Sequence, residues 1–324
     1  MNPGDRASWN QTANADFVLV GLFGETKPAT FLYMVTFIFF LLALAGNTLL
    51  IVLIRVQPRL RTPMDFFISQ LSLMYLMYIS MTVPKMLVGQ VTGDRAISAS
   101  CCGVQMFFSL NLNGEKCFLL AAMASNPYTA ICRHLHYTLL MSQRVCECLL
   151  SGCWLLGMSD GFLLTPIIMS VPFSQSRKIP SFFCETPALL KLSCADISLY
   201  RTFMYVCCVL MLLIPIVVIL SSYASILRLI HRMNSAEGQR KAFATCSFQL
   251  ILGLFFFGAA VYTYMLPTSY HTAEKDIMIP AFYTIITPVL NPLIYNFRNK
   301  DFTGALRSTM QLGLSPRKAG NGRA

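Results

Sequence analysis

The stretch Pro288-Val-Leu-Asn-Pro-Leu-Ile-Tyr-Asn-Phe-Arg-Asn-Lys300 places Asn291, two prolines and Tyr295 inside an apolar run that stops abruptly at basic residues. Proline removes a backbone donor and frees a carbonyl, which lipid tolerates only where neighbouring helices, polar side chains or water satisfy the freed group. The run therefore reads as a broken membrane helix reaching cytoplasm, with Asn291 and Tyr295 turned toward a helical bundle.

Composition extends this to the whole chain. Of 324 residues, 55% are hydrophobic and 12% charged, against about 25% charged in a soluble domain. A span needs roughly 20 mostly apolar residues, and seven such segments run near 29–54, 64–88, 101–132, 145–170, 198–228, 242–266 and 277–297. This predicts an all-α membrane protein, a seven-transmembrane helix bundle over 29–297, preceded by an extracellular segment 1–28 and followed by a cytoplasmic segment 298–324. The formal charge of +11 is unevenly spread. With the amino terminus outside, Arg55, Arg59, Arg61, Arg133, Arg144, Arg228, Arg232, Arg240, Lys241, Arg298, Lys300, Arg307, Arg317, Lys318 and Arg323 fall inside, whereas the outer side mixes Arg95, Arg177, Lys178, Lys191, Arg201 and Lys275 with Asp94, Glu185, Asp196, Glu274 and Asp276 and is close to neutral. That is the positive-inside bias, and attraction to anionic inner-leaflet lipid accounts for it without a nucleic-acid partner. The first 28 residues lack a basic stretch followed by an apolar one, so the first span is expected to direct insertion. Asn10-Gln11-Thr12 is a glycosylation sequon on the outer side.

Several stretches then carry a family resemblance. They are Gly46-Asn47, Pro63-Met-Asp-Phe-Phe-Ile-Ser-Gln-Leu-Ser72, Pro84-Lys85-Met86, Met123-Ala-Ser-Asn-Pro-Tyr-Thr-Ala-Ile-Cys132, Ser222-Tyr223, Lys241-Ala-Phe-Ala-Thr-Cys-Ser247 and the Asn291-Pro292-x-x-Tyr295 element. In this order, across seven spans, they resemble the odorant-receptor branch of the rhodopsin-like G-protein-coupled receptors. The resemblance implies a plasma-membrane receptor for small volatile odorants, with a short amphipathic eighth helix in the tail and a stimulatory heterotrimeric G protein as partner. It assigns the switch that faces the G protein to Asn126, Pro127, Tyr128, Tyr223, Lys241, Asn291, Pro292 and Tyr295.

Twelve cysteines in a membrane protein are mostly small core residues. Cys102 at the start of the third span and Cys184 in the outer loop lie where the secretory route permits a disulfide, and they are the expected pair. Odorant receptors usually carry a further loop cysteine at the position of Ser174, so Cys194 is expected to lack a partner.

Three departures from the family pattern carry chemistry. Where odorant receptors read M-A-Y-D-R-Y, this chain has Ser125, Asn126 and Pro127, so both charges of the switch are missing and the inner end of the third helix is expected to be kinked or frayed. Where the family places acids in the second and third spans, this chain has Tyr75 and Lys116, which do not suit a sodium ion seeking oxygen ligands. Glu115 points about 100° away and cannot simply replace the missing acid. Lys116 is read either as an internal cation pairing with an acidic odorant or the Tyr75 phenol, or as a substitution tolerated by losing its charge or reaching water. On the sixth span, Phe248, Gln249 and Phe257 stand where the family has serine, histidine and tyrosine.

A site for a volatile ligand is a mostly apolar cavity with a few polar groups. Helical spacing puts Met106, Ser109, Leu110 and Asn113 on one face of the third span. By resemblance that face meets Cys207, Met211, Phe257, Val261, Tyr264, Ala281 and Thr284 under the outer loop, although core packing explains each of them singly. Asn113 and Tyr264 are the expected hydrogen-bonding members. His134 and His136 read as solvated loop residues rather than metal ligands, and the sequence offers no metal cluster, phosphate loop or nucleophile–base set, so neither an enzyme nor a cofactor is expected. Two other classes remain open: a receptor-shaped protein that binds without signalling, and a transporter or channel, which would call for internal repeats.

Overall fold

The computed structural model describes residues 16–22, 29–132, 140–174, 176–194, 198–232, 236–266 and 268–298, together with Gly304. Among these residues seven long helical bodies follow one another: α1 (Ala29–Val56), α2 (Pro63–Thr92), α3 (Ala99–Cys132), α4 (Gln143–Met169), α5 (Ser198–Arg232), α6 (Ala236–Met265), and α7, which runs from Ala273–Ala281 through a π turn at Phe282–Ile286 into Thr287–Arg298. Five of them are long and apolar enough to cross a membrane, over Thr30–Val56, Pro63–Thr92, Gln143–Met169, Thr202–His231 and Glu274–Tyr295. α3 fails that test for a physical reason. It carries Gln105, Asn111, Glu115, Lys116 and Asn126, all buried against other helices, so its polar groups never meet lipid. The exposed side chains instead belong to faces such as Phe31, Met34 and Ile38 on α1, Leu155, Phe162 and Leu163 on α4, and Leu210, Val217 and Leu220 on α5, the inside-out pattern of helices solvated by hydrocarbon.

Local chemistry sets the helix ends. Thr62 and Asp65 form a reciprocal capping box at the start of α2, and Gly93 ends that helix with φ 75°. Pro84, Pro127, Pro166, Pro215, Pro280 and Pro292 all lie inside helices, as a bundle allows when neighbours satisfy the freed backbone. The kinked or frayed end expected for α3 does not fray: the helix continues through Pro127 to Cys132. Around the proline, Ser125 Oγ donates to the Ala122 carbonyl (2.8 Å) and Thr129 Oγ1 to the Ser125 carbonyl (2.8 Å), so hydroxyls supplement the backbone ladder where the ring removes a donor.

α3 is the packing centre, and its seam with α4 is the largest interhelical contact. Gly157 makes the close approach: a Cβ there would stand 2.5 Å from the Asn111 carbonyl oxygen and 2.8 Å from the Glu115 nitrogen. A similar contact joins α1 to α7, where a Cβ on Gly46 would meet Pro292 at 2.9 Å, and Asn47 Nδ2 donates to the Ala43 and Pro288 carbonyls at 2.8 Å each.

At the outer end, strand β1 (Phe17–Leu19) is central in a three-stranded sheet, antiparallel to β2 (Ala96–Ile97) and parallel to β3 (Lys178–Ile179). Arg95 Nη1 donates to the Val20 carbonyl at 2.8 Å, and Phe17 packs edge-on against Phe173. The amino-terminal segment thus stitches two outer loops together. Cys102 and Cys184 are joined by a disulfide that ties the α4–α5 loop to the outer end of α3. Cys194 is free and exposed. The stretch expected to form the eighth helix lies outside the described residues, apart from Arg298 and Gly304.

Candidate functional site

A cavity of about 570 Å³ opens between α3, α4, α5, α6 and α7, walled by Leu110, Asn113, Gly114 and Cys117, by Asp160, by Cys208, Met211 and Leu212, by Phe256, Ala259, Ala260, Thr263 and Tyr264, and by Tyr283. The α6 members recur at three- and four-residue steps, which is one helix stripe. Tyr283 reaches the wall from the π turn of α7, and its hydroxyl donates to Glu185 Oε2 at 3.2 Å. Glu185 follows the bridged Cys184, whose backbone N–H donates to Gln105 Oε1 at 2.7 Å, while Gln105 Nε2 donates to the Met81 carbonyl at 2.8 Å. The outer loop is therefore held over the bundle by one covalent bond and by hydrogen bonds to Gln105 and Tyr283. Burial pushes the Glu185 carboxyl up to about 7, against the lowering effect of the Tyr283 hydroxyl.

A second, outer cavity of about 320 Å³ adjoins the first at Thr263 and includes Glu185, Lys191, Tyr262, His271 and Asp276. Asp276 gathers its neighbours there, with Lys191 Nζ at 2.6 Å, His271 Nδ1 at 2.7 Å and the Tyr262 hydroxyl at 3.1 Å.

Of the pocket residues expected from sequence, Leu110, Asn113, Met211 and Tyr264 line the main cavity. Ser109 sits one turn above Asn113, whose Nδ2 donates to Ser109 Oγ at 3.5 Å, and Met106 is fully buried in the cluster that contains Tyr264. Thr284 is buried and, with Ser109 and Asn113, approaches the Tyr78 hydroxyl. Four residues are not brought here. Phe257 and Val261 face a different cavity of about 900 Å³ toward α5, beside Leu120 and Tyr223, and Ala281 faces a groove with Thr36 and Phe39 of α1. Cys207 is half-buried and absent from the wall, where Cys208 stands. The cause is rotational: adjacent helical residues point about 100° apart, and packing turns Phe256 and Cys208 inward in place of Phe257 and Cys207.

Below the cavity, Lys116 meets Tyr75 through the face of its ring rather than through its hydroxyl. Its ammonium lies 4.2 Å from the Phe256 ring centroid and 4.6 Å from that of Tyr75, a cation–π contact with two ring faces, and burial keeps it from water. Glu115 faces α4 instead, and both its carboxylate oxygens are without hydrogen-bond partners among the described residues. Nearer the inner end, Asn291 Nδ2 donates to Ser72 Oγ at 3.2 Å, and the Tyr295 hydroxyl bonds the Asp65 carboxylate that caps α2. Pro292 packs on Gly46. Asn126 is buried, while Tyr128 and Tyr223 share a small cluster with Ala124 and Ile226. Asn10, His134 and His136, and the side chains of Lys241, Phe248 and Gln249, lie outside the described residues.

Besides wall residues such as Cys208, Phe256 and Thr263, no role was expected from sequence for Asp160, Tyr283 or Asp65, and Glu185 stood only among the outer charges. Asp160 had a signal, being an acid inside an apolar span, and Asp65 had one in the spacing Thr-x-x-Asp. Tyr283 had none, since the π turn that directs it is a tertiary product.

The olfactory receptor family profile matches residues 35–311. The chain is 68% identical to human olfactory receptor 2T3 over 318 residues, which is 98% of this chain and 100% of that one. It is 67% identical to human olfactory receptor 2T34 over the same shares, and 60% identical to human olfactory receptor 2T5 over 301 residues, 93% of this chain and 96% of that one. The chain belongs to the olfactory receptor family. It is a multi-pass receptor of the plasma membrane in the rhodopsin-like class and not an enzyme.

Proposed function

We propose that this olfactory receptor holds a small volatile ligand in the cavity between α3, α5, α6 and α7, and that the change passes inward to a stimulatory heterotrimeric G protein. In this reading all seven helices cross the membrane with the amino terminus outside, an eighth helix lies along the inner leaflet, and Asn10 carries a glycan. The observation that supports it best is the cavity itself, an apolar chamber with a few polar groups, bounded outward by a loop anchored through Cys102–Cys184. Ligand binding shifts the population between two helix arrangements only through a difference in affinity for them. The groups we assign to report that shift are the α7–α2 contacts of Asn291 and Tyr295 and the α5 residue Tyr223, together with Pro292, Tyr128 and Lys241. With a cation–π pair at Tyr75 and Lys116, agonist responses are expected to be insensitive to exchange of sodium for a bulky organic cation.

One observation favours weakened coupling. At the inner end of α3, Asn126 and Pro127 offer neither an acid nor an arginine, and Pro127 cannot donate a hydrogen bond. The test is cAMP in transfected cells, normalised to surface staining of an amino-terminal epitope in unpermeabilised cells. A ligand-evoked rise supports receptor function; surface protein with no response to any volatile in a broad panel refutes signalling.

A further inference from the structure

Among the described residues, the wall of the main cavity carries one charged side chain. Asp160 projects from α4 into a wall that is otherwise apolar, aromatic or neutral, with its Oδ2 3.7 Å from where a Cβ on Gly114 would lie. Cys117 of α3, Cys208 of α5 and Tyr264 of α6 line the same cavity. Asp160 is partly buried, and no hydrogen bond or ion pair to it occurs among the described residues. The Thr263 hydroxyl on the facing wall also has no partner among them. The Lys116 ammonium does not serve Asp160, because it lies 4.2 Å from the centroid of Phe256, a ring that itself walls the cavity. An acidic ligand would find that cation screened by the ring. A cationic ligand would find an unpartnered carboxylate, an unpartnered hydroxyl and the faces of Phe256, Tyr264 and Tyr283. The outer cavity agrees in sign: it holds the carboxylates of Glu185 and Asp276, with Lys191 and His271 both already engaged by Asp276.

We infer that the cavity is built for a small primary alkylammonium ion, with Asp160 accepting from its N–H groups and the apolar walls taking its hydrocarbon tail. This rests on the reading that the cavity is the ligand site, but not on signalling.

The test uses the full-length receptor in zwitterionic lipid nanodiscs, with receptor-free discs subtracted, and three probes of one chain length: n-pentylamine, 1-pentanol and pentanoate. The parent is expected to bind the amine at least tenfold more tightly than either of the others. Asp160→Asn, which keeps the shape and removes the charge, is expected to abolish that preference, and a parent-like unfolding temperature shows that the variant is folded. Should Asp160→Asn fail to fold, Asp160→Glu decides: the longer acid is expected to move the optimum from pentylamine to butylamine, and an unmoved optimum overturns the inference. So does a parent without amine preference, or a preference that survives Asp160→Asn. If the amine binds in this way and cAMP does not rise, the signalling reading fails and this inference stands; a cAMP response to alcohols without amine preference does the reverse.

Discussion

Gly157→Ala is the sharpest probe of the packing that shapes the cavity. A methyl group at Gly157 would lie 2.5 Å from the Asn111 carbonyl oxygen and 2.8 Å from the Glu115 nitrogen, both backbone atoms of α3, whereas ordinary contact begins at 3.4 Å. A side chain could swing away, but a helix backbone cannot, so α3 and α4 must separate by about 0.9 Å at this point. A radial gap of ~0.5–1 Å forfeits a quarter to a half of each dispersion contact along the seam. Overpacking of this kind costs ~1–3 kcal/mol, and rigid partners place it at the upper end, about 3 kcal/mol. Gly152→Ala, five residues earlier on the same helix, is the control. Nothing lies within 4 Å of its added methyl, and alanine gains ~1 kcal/mol in helix propensity. The two substitutions are chemically identical, so their effects should differ by about 4 kcal/mol in opposite directions. Thermal unfolding of the purified receptor, followed by a thiol-reactive dye that reports exposure of the buried Cys117, Cys146, Cys153 and Cys208, measures the difference. Gly157→Ala should unfold well below the parent and Gly152→Ala at or above it. Equal midpoints for the two variants would refute the argument that backbone contact sets the α3–α4 spacing.

The Glu185 carboxyl, raised by burial to about 7 from 4.5, keeps its proton in the folded receptor at pH values where the unfolded chain has lost it. Its stabilising effect is therefore complete below about pH 4.5 and lost as pH rises through about 7; Glu185→Gln should flatten the fall in unfolding temperature across that window, and an unchanged slope rejects the assignment. Tyr295→Phe removes a hydrogen bond to a buried carboxylate that links α7 to α2, a loss of ~1.5–3 kcal/mol. It should lower the unfolding temperature and raise basal cAMP, and neither effect would be seen if the contact did not hold the resting arrangement. Asn126→Asp combined with Pro127→Arg restores an acid–base pair and a backbone donor on α3, and should raise basal or ligand-evoked cAMP above the parent at equal surface expression. Pro127→Arg alone supplies a cation without its acid and should not match it; a parent that already signals as strongly as the double variant would show that coupling does not use this motif.

Much of the architecture is local and was therefore legible along the chain. The apolar runs, the basic residues that end them and the prolines inside them each act over one or two helical turns, so the helical segments and their order could be read without any neighbour. Cys102 and Cys184 were legible as outer, oxidisable positions, but Cys194 qualifies on the same ground, and the fold decides which two meet. Rotation about each helix axis was not. Phe256 and Phe257 are both apolar, and both fit a stripe that includes Tyr264, one by eight residues and the other by seven. The choice between them depends on how closely α3, α5 and α7 approach α6, which no segment encodes alone. The same holds for Lys116, whose ring partners come from α2 and α6, and for Tyr295, whose carboxylate partner lies 230 residues away at Asp65. Periodicity and composition alone determine that the chain forms apolar helices, and which motifs end them. Only the tertiary structure decides which side chains face the cavity, because that depends on interhelical spacings fixed by contacts such as Gly157 against Asn111 and Gly46 against Pro292.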